Sequence, residues 1–96
     1  MSGTLYILRF EEFPNTYRVG KTTNMQQTLD EMDVPLTVEI LAEYENLGHI
    51  LPAVHKHLDQ YRVTTGDSRE WFRCPLMHIE MCVDCVRQAE NHRSCR

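Results

Sequence analysis

The sequence lacks a long hydrophobic run. No stretch approaches the roughly 18 uncharged apolar residues that a membrane-spanning helix requires, although 42% of the 96 residues are hydrophobic. The first residues carry no basic, hydrophobic leader either. The sequence therefore predicts an intracellular protein without a membrane partner.

Positive charge is also scarce. Ten Lys and Arg residues stand against 14 Asp and Glu, the formal net charge is −4, and the basic residues form no run. Because non-specific nucleic-acid binding draws its affinity from many neutralised phosphates, a broad nucleic-acid-binding surface is disfavoured. A local basic groove would require the fold to gather separate residues. The scattered candidates are Arg18, Lys21, Lys56, Arg62, Arg69 and Arg73.

Glycine and proline are few, four of each, and there is no internal repeat or low-complexity tract. The 25% of charged residues is close to the average for globular proteins. These features predict a single domain over residues 1–96, and the apolar pattern that follows Pro75 predicts a C-terminal helix at 75–96.

The first half of the chain alternates between strand and turn signals. Residues 5–10 and 17–20 are rich in β-branched, aromatic and aliphatic side chains, and the turn formers between them predict a β-hairpin. Asn24 is a favourable N-cap for a following helix. Residues 36–44 then alternate apolar and polar side chains, which predicts a third strand with Ile40 on its buried face.

The second half favours helices. Apolar residues recur at helical intervals over 48–61, and again from Leu76 to Val86. The polar residues 64–68 predict a loop before the apolar pair Trp71-Phe72. The complete pattern predicts an α/β (α+β) fold, in which a small three-stranded antiparallel sheet is flanked by about three helices.

This order of elements, together with particular residues, resembles the GIY-YIG superfamily. Three segments carry the resemblance: Tyr17-Arg18-Val19-Gly20-Lys21-Thr22, His55 in the second long helix, and Glu70-Trp71-Phe72. They are similar to the phage and large-DNA-virus branch, whose members typically read Tyr-Lys-Ile-Gly-Lys-Thr, a histidine, then Glu-Trp-Phe. The resemblance covers residues 4–74, which it implies are the core of the domain. Short accessory proteins of viruses such as African swine fever virus are similar as well. The resemblance implies a nuclease-type fold working in the host cytoplasm or nucleus.

The resemblance also implies positions for catalytic groups. In the family, a first-motif tyrosine helps to activate water, an arginine and often a histidine of the first helix act at the phosphate, and a glutamate holds a divalent metal. Tyr6 matches the first tyrosine. Tyr17 lies one residue before the second tyrosine position, which Arg18 occupies. Glu70 is the candidate ligand for Mg²⁺ or Mn²⁺.

The first helix departs from the family pattern. Thr28 stands at the arginine position and Met32 at the histidine position, and neither side chain carries positive charge. Losing one charged stabiliser of a transition state typically costs about 2.7–4 kcal/mol. The sequence therefore predicts a degenerate nuclease-like domain without a cofactor, acting as a viral accessory module. The alternative is an active metal-dependent endonuclease whose relocated groups are Tyr6, Tyr17, Lys21 and Glu70.

If the domain acts by binding, its partner is either a host protein or nucleic acid. A host protein suits the acidic composition. Nucleic acid would require a retained phosphate groove. The candidate groove residues are Arg18, Lys21, His55, Arg62 and Arg69.

Several candidates have a purely structural interpretation as well. Tyr6 and Tyr17 suit half-buried strands without any catalytic role. His55 and His57 lie two residues apart on a helix, so they do not share a face, and His55 is the candidate for lining the site. Trp71 either anchors the core or stacks on a nucleotide.

The C-terminal segment is not explained by the resemblance. Cys82, Cys85, His92 and Cys95 have the number and types of ligand that a structural zinc site requires. A continuous helix would spread them too far along its axis for one ion, so reduced cysteines on a helix face are the alternative. A third hypothesis is a homodimer, rather than a monomer, in which two such helices combine their cysteines and histidines.

Overall fold

The fold is known from a computed structural model, which describes residues 3–31, 37–63 and 71–94, the last four as backbone only. The elements are β1 Thr4–Phe10, β2 Thr16–Thr22, α1 Met25–Glu31, β3 Val38–Tyr44, α2 Leu51–Leu58, β4 Trp71–Arg73 and α3 Leu76–Ser94. Single 3₁₀ turns, Gly48–Ile50 and Asp59–Tyr61, precede and follow α2. Among the described helices, none combines the length and the apolar character needed to cross a membrane.

The described strands form one antiparallel sheet in the order β3-β1-β2-β4. The predicted α+β class is confirmed, but the predicted count of three strands is wrong, because Trp71–Arg73 pairs with β2 as a fourth strand. A strand of three residues has no periodicity of its own, so only its apolar pair is visible in the sequence. The outer side of β4 is covered where the Val63 N–H donates to the Trp71 carbonyl at 2.9 Å.

The predicted hairpin and the predicted helix N-cap are both present. Strands β1 and β2 pair in continuous register from Thr4 opposite Thr22 to Arg9 opposite Tyr17. The Asn24 side-chain oxygen accepts the Gln27 N–H at 3.1 Å, which satisfies one of the free amide groups at the start of α1.

Strand β3 contains a bulge. Ile7 of β1 lies opposite Ala42, but Leu8 lies opposite Ile40, so Leu41 is an extra residue on the β3 side. Leu41 packs against the apolar core that contains the buried residues of α2 and α3, whereas Ile40 is 40% exposed. The prediction that Ile40 shares one buried face with Ala42 and Tyr44 is therefore wrong, because Ile40 pairs with Leu8 whereas Ala42 and Tyr44 pack against the opposite core.

Each face of the sheet has its own apolar core, because successive strand residues point to opposite sides. The α2–α3 face carries Leu5 and Ile7 of β1, which pack with buried residues of α2 and α3. The α1 face carries the intervening β1 residues, which pack with α1, β3 and β4. Its members are Tyr6, Leu8, Phe10, Met25, Leu29, Val38 and Trp71.

Helix α3 belongs to the core of the α2–α3 face. Ile79, Val83 and Val86 are buried there, and Leu76 packs against the same cluster. The apolar stripe predicted from the sequence is confirmed. The C-terminal helix therefore packs on the sheet as an integral part of the fold.

Candidate functional site

Tyr6 is enclosed on the α1 face. Only 1% of it is exposed, and it clusters with Leu8 and Phe10 from its own strand. Met25 and Leu29 of α1 pack against this cluster. Where the resemblance implies a catalytic tyrosine, the structure therefore has a tyrosine inside an apolar core.

Thr28, at the family's arginine position, faces the end of β2. Its hydroxyl lies 2.6 Å from the Thr22 hydroxyl and donates to the Asn24 carbonyl at 3.1 Å. These contacts join α1 to β2 on the side of the sheet that carries Tyr6. Met32, at the histidine position, lies outside the described residues.

The two candidate catalytic tyrosines occupy opposite faces of the sheet. Tyr17 is 8% exposed, pairs with Phe72 of β4, and belongs to the core of the α2–α3 face. Arg18 pairs with Leu8 and Trp71, so Arg18 occupies the α1 face together with Tyr6. The third candidate, Glu70, lies outside the described residues.

Trp71 packs as an aromatic anchor on the α1 face. Its ring stacks on Phe10 with centroids 4.4 Å apart and planes 19° from parallel. Phe13, which is 43% exposed, meets the indole edge-on at 5.7 Å. The stacking on Phe10 supports the anchor interpretation.

His55 connects α2 to β2 on the α2–α3 face of the sheet. Its Nε2 donates to the Val19 carbonyl at 2.7 Å, since a carbonyl only accepts, and this bond fixes the proton on Nε2. The imidazole also lies 5.1 Å from the Phe72 ring. The structure therefore does not bring His55 to the face that carries Tyr6.

The other described candidates, Lys21 and Arg62, lie on the same side of the sheet as His55 and not with Arg18. Lys21 is exposed and pairs with Leu5, which places it across the sheet from Arg18. The Arg62 guanidinium lies 5.4 Å from the Phe72 ring centre, and its Nε is 3.2 Å from an Asp59 carboxylate oxygen. That Nε is buried without a hydrogen bond, so the Asp59 contact is an ion pair with poor hydrogen-bond alignment.

Arg69, the last residue of the predicted phosphate groove, lies outside the described residues. Within those ranges, no three His, Cys, Asp or Glu side chains gather as a metal ion would require. The described residues do not include Glu70, Cys95 or the side chain of His92. The Mg²⁺, Mn²⁺ and zinc hypotheses therefore stay predictions.

The cysteines of α3 line a surface groove instead. Helix α3 runs without interruption through Cys82, which is half-buried, and Cys85, which is exposed. Burial raises the pKa of the Cys82 thiol, and the neighbouring Cys85 raises it further. Burial also raises the pKa of the Cys74 thiol, with a smaller effect from Cys82.

This α2–α3 groove has a volume of about 320 Å³. Its lining residues are His57, Gln60, Tyr61, His78, Met81, Cys82 and Cys85. The spacing of His78, Cys82 and Cys85 along one helix face is readable from the sequence. The contribution of His57 and Tyr61 depends on tertiary packing.

Comparison with known protein families matches residues 3–89 to the T5orf172 domain. The chain belongs to the T5orf172 domain family. This phage-associated family is related to the GIY-YIG nuclease fold, so the resemblance is confirmed at that level, whereas the particular branch and the viral source stay predictions. No curated protein and no solved structure matches the chain. The T5orf172 match spans the four described strands and most of α3.

Proposed function

We propose that this T5orf172 domain is a binding module that retains a nuclease-type fold without nuclease activity. The burial of Tyr6 in the apolar cluster of the α1 face carries the proposal. A tyrosine that activates water has to reach the scissile phosphate, and a charged phosphate is strongly disfavoured among apolar side chains.

The charge at the family's arginine position supports the same conclusion. Thr28 has no cation to offer a transition state, and its hydroxyl is engaged by Thr22 and Asn24. Phosphodiester cleavage depends on preorganised positive charge at the phosphoryl oxygens. The alternative, an enzyme with relocated groups, would require Tyr6 and Tyr17 to act together across the sheet.

A protein partner is favoured over nucleic acid. Arg18 and Lys21 occupy opposite faces, Arg62 is paired with Asp59, and the whole chain carries a net charge of −4. These cations do not form the continuous basic surface that phosphate binding draws on. The phage association of the family supports a viral accessory role, with a host protein as the partner.

Incubation of the purified protein with plasmid and single-stranded DNA tests for nuclease activity. With Mg²⁺ or Mn²⁺ present, we expect both substrates to remain intact. Cleavage that is abolished by Tyr6→Phe and by Glu70→Ala would overturn the proposal. The paired variants separate activity of this chain from that of a contaminating nuclease.

Fluorescence polarisation with labelled oligonucleotides tests the choice of partner. We expect no binding of single- or double-stranded DNA or RNA at low or at moderate salt. Affinity that falls steeply with salt and is weakened by Lys21→Ala would identify nucleic acid as the partner instead. Arg87→Ala on α3 is the matched control, because it removes the same charge at a residue that is not a groove candidate.

A further inference from the structure

The α2–α3 groove concentrates soft and borderline metal-ligand chemistry. Two imidazoles, one thioether and two thiols line it, from His57, His78, Met81, Cys82 and Cys85. Thiolate and thioether ligands select soft ions such as Cu(I), and imidazole also binds copper. Neither Tyr6 nor Thr28 lines this groove, so it is separate from the α1 face.

The geometry disfavours an ion of high coordination number. Structural zinc requires four ligands arranged as a tetrahedron. Within the described part of the chain, three His, Cys, Asp or Glu side chains do not converge on one point. A soft monovalent ion requires fewer ligands, because two sulfur atoms complete a linear coordination.

Cys82 and Cys85 lie one helical turn apart on α3. Side chains at this spacing have Cβ atoms about 5–6 Å apart, whereas a disulfide requires about 3.5–4.5 Å. The helix therefore holds the two Cβ atoms too far apart for an unstrained disulfide. An ion placed between the two sulfurs, with metal–sulfur bonds of about 2.3 Å each, spans the wider gap.

We infer that Cys82 and Cys85 form a binding site for a soft, thiophilic cation of the Cu(I) class in the α2–α3 groove. Each thiol gives its proton to solvent as its sulfur binds the ion, so no oxidant or reductant is consumed. Cys82 is half-buried, Cys85 is exposed, and both line the groove. His78 and Met81 precede the two cysteines on α3 and line the same groove.

Anaerobic titration of the full, reduced chain with Cu(I) tests the inference. With a chromophoric Cu(I) chelator as competitor, we expect one ion per chain. X-ray absorption of the complex should show two sulfur neighbours. Cys85→Ser should weaken binding by more than about 100-fold, because losing one of two ligands costs more than losing a residue that only supports a ligand, which typically costs about 10–100-fold. Cys85 is exposed, so this variant should retain its fold.

Cys95→Ser and His92→Ala are the matched controls, and both should bind Cu(I) like the unchanged protein. Loss of binding in either control would overturn the inference in favour of the four-ligand set that the sequence suggests. Binding that survives Cys85→Ser, or a spectrum dominated by nitrogen neighbours, would overturn it as well. Circular dichroism of each variant verifies that α3 remains folded.

Discussion

His55 shows how one side chain couples a helix to the sheet. It donates from α2 to the Val19 carbonyl of β2 and contacts the Phe72 ring of β4. The sequence indicates that one of His55 and His57 turns inward, since they lie two residues apart on a helix. It does not reveal the acceptor, because Val19 is 36 residues away.

Replacing His55 by Ala should destabilise the protein by about 1–3 kcal/mol, because the partly buried Val19 carbonyl loses its donor. Urea unfolding followed by circular dichroism measures the change. His57→Ala removes an exposed histidine from the same helix and should change the free energy of unfolding by less than about 0.5 kcal/mol. Equal effects of the two variants would contradict the structural role of His55.

Glu12 connects the hairpin turn to the start of β3. Its carboxylate accepts the Thr37 N–H at 2.8 Å, and this hydrogen bond lowers the pKa of Glu12 below its ordinary value. A lowered pKa in the folded state means that the contribution to stability is complete above the ordinary carboxyl pKa. It is lost as the pH falls through the lowered pKa.

We therefore expect the Thr37 amide resonance in NMR spectra to shift with pH, with a midpoint below the ordinary pKa of a glutamate. Glu12→Gln keeps an acceptor oxygen but cannot titrate, so the Thr37 resonance should lose this transition. An unchanged transition in Glu12→Gln would show that another group causes the shift.

Tyr6 and Tyr17 illustrate what a motif does not determine. Their letters resemble the family's two tyrosines, but a displacement of one residue along a strand reverses the direction of a side chain. The two tyrosines are therefore present in the sequence, but they lie on opposite faces of the sheet. The β1–β2 register shows that Arg18 occupies the face of Tyr6.

The elements differ in how visible they are in the sequence. The hairpin, the N-cap of α1 and the buried stripe of α3 are all readable, because each depends on local chemistry or periodicity. β4 and the bulge in β3 are not readable. Both arise from pairing with a distant strand, and neither has a local signal.

The N-cap of α1 provides a prediction at this scale. Asn24→Ala removes the oxygen that accepts the Gln27 N–H and should cost about 1 kcal/mol of stability. Chemical denaturation measures this loss. Asn24→Asp preserves a capping oxygen and should stay within a few tenths of a kcal/mol of the unchanged protein. A similar loss in both variants would contradict the capping role.

At the scale of the whole molecule, β1 joins two cores. Its alternate residues belong to the α1 face and to the α2–α3 face, so neither core is complete without the same strand. The chain has a single tryptophan, Trp71, which lies on the α1 face, whereas α3 lies across the sheet. Trp71 fluorescence therefore reports on the core of the α1 face. Circular dichroism reports mainly on the α2–α3 core, because α2 and α3 contain most of the described helical residues.

Because both cores share β1, we expect the protein to unfold in one cooperative transition. Urea curves from Trp71 fluorescence and from far-ultraviolet circular dichroism should coincide. Val83→Ala in the α2–α3 core should cost about 2 kcal/mol and move both midpoints together. Met81→Ala, at a site that is 56% exposed, is the control. A fluorescence midpoint that stays in place while the dichroism midpoint moves would show that the cores unfold independently.

The bulge at Leu41 affects how these molecules meet at high concentration. β3 is an outer strand, and an outer strand without irregularity is a template on which further chains assemble into ribbons. The extra residue breaks the repeat of its backbone groups, and the exposed Glu43 places a negative charge beside the break. The irregularity that spoils the alternation of the strand thus discourages the chain from growing into filaments.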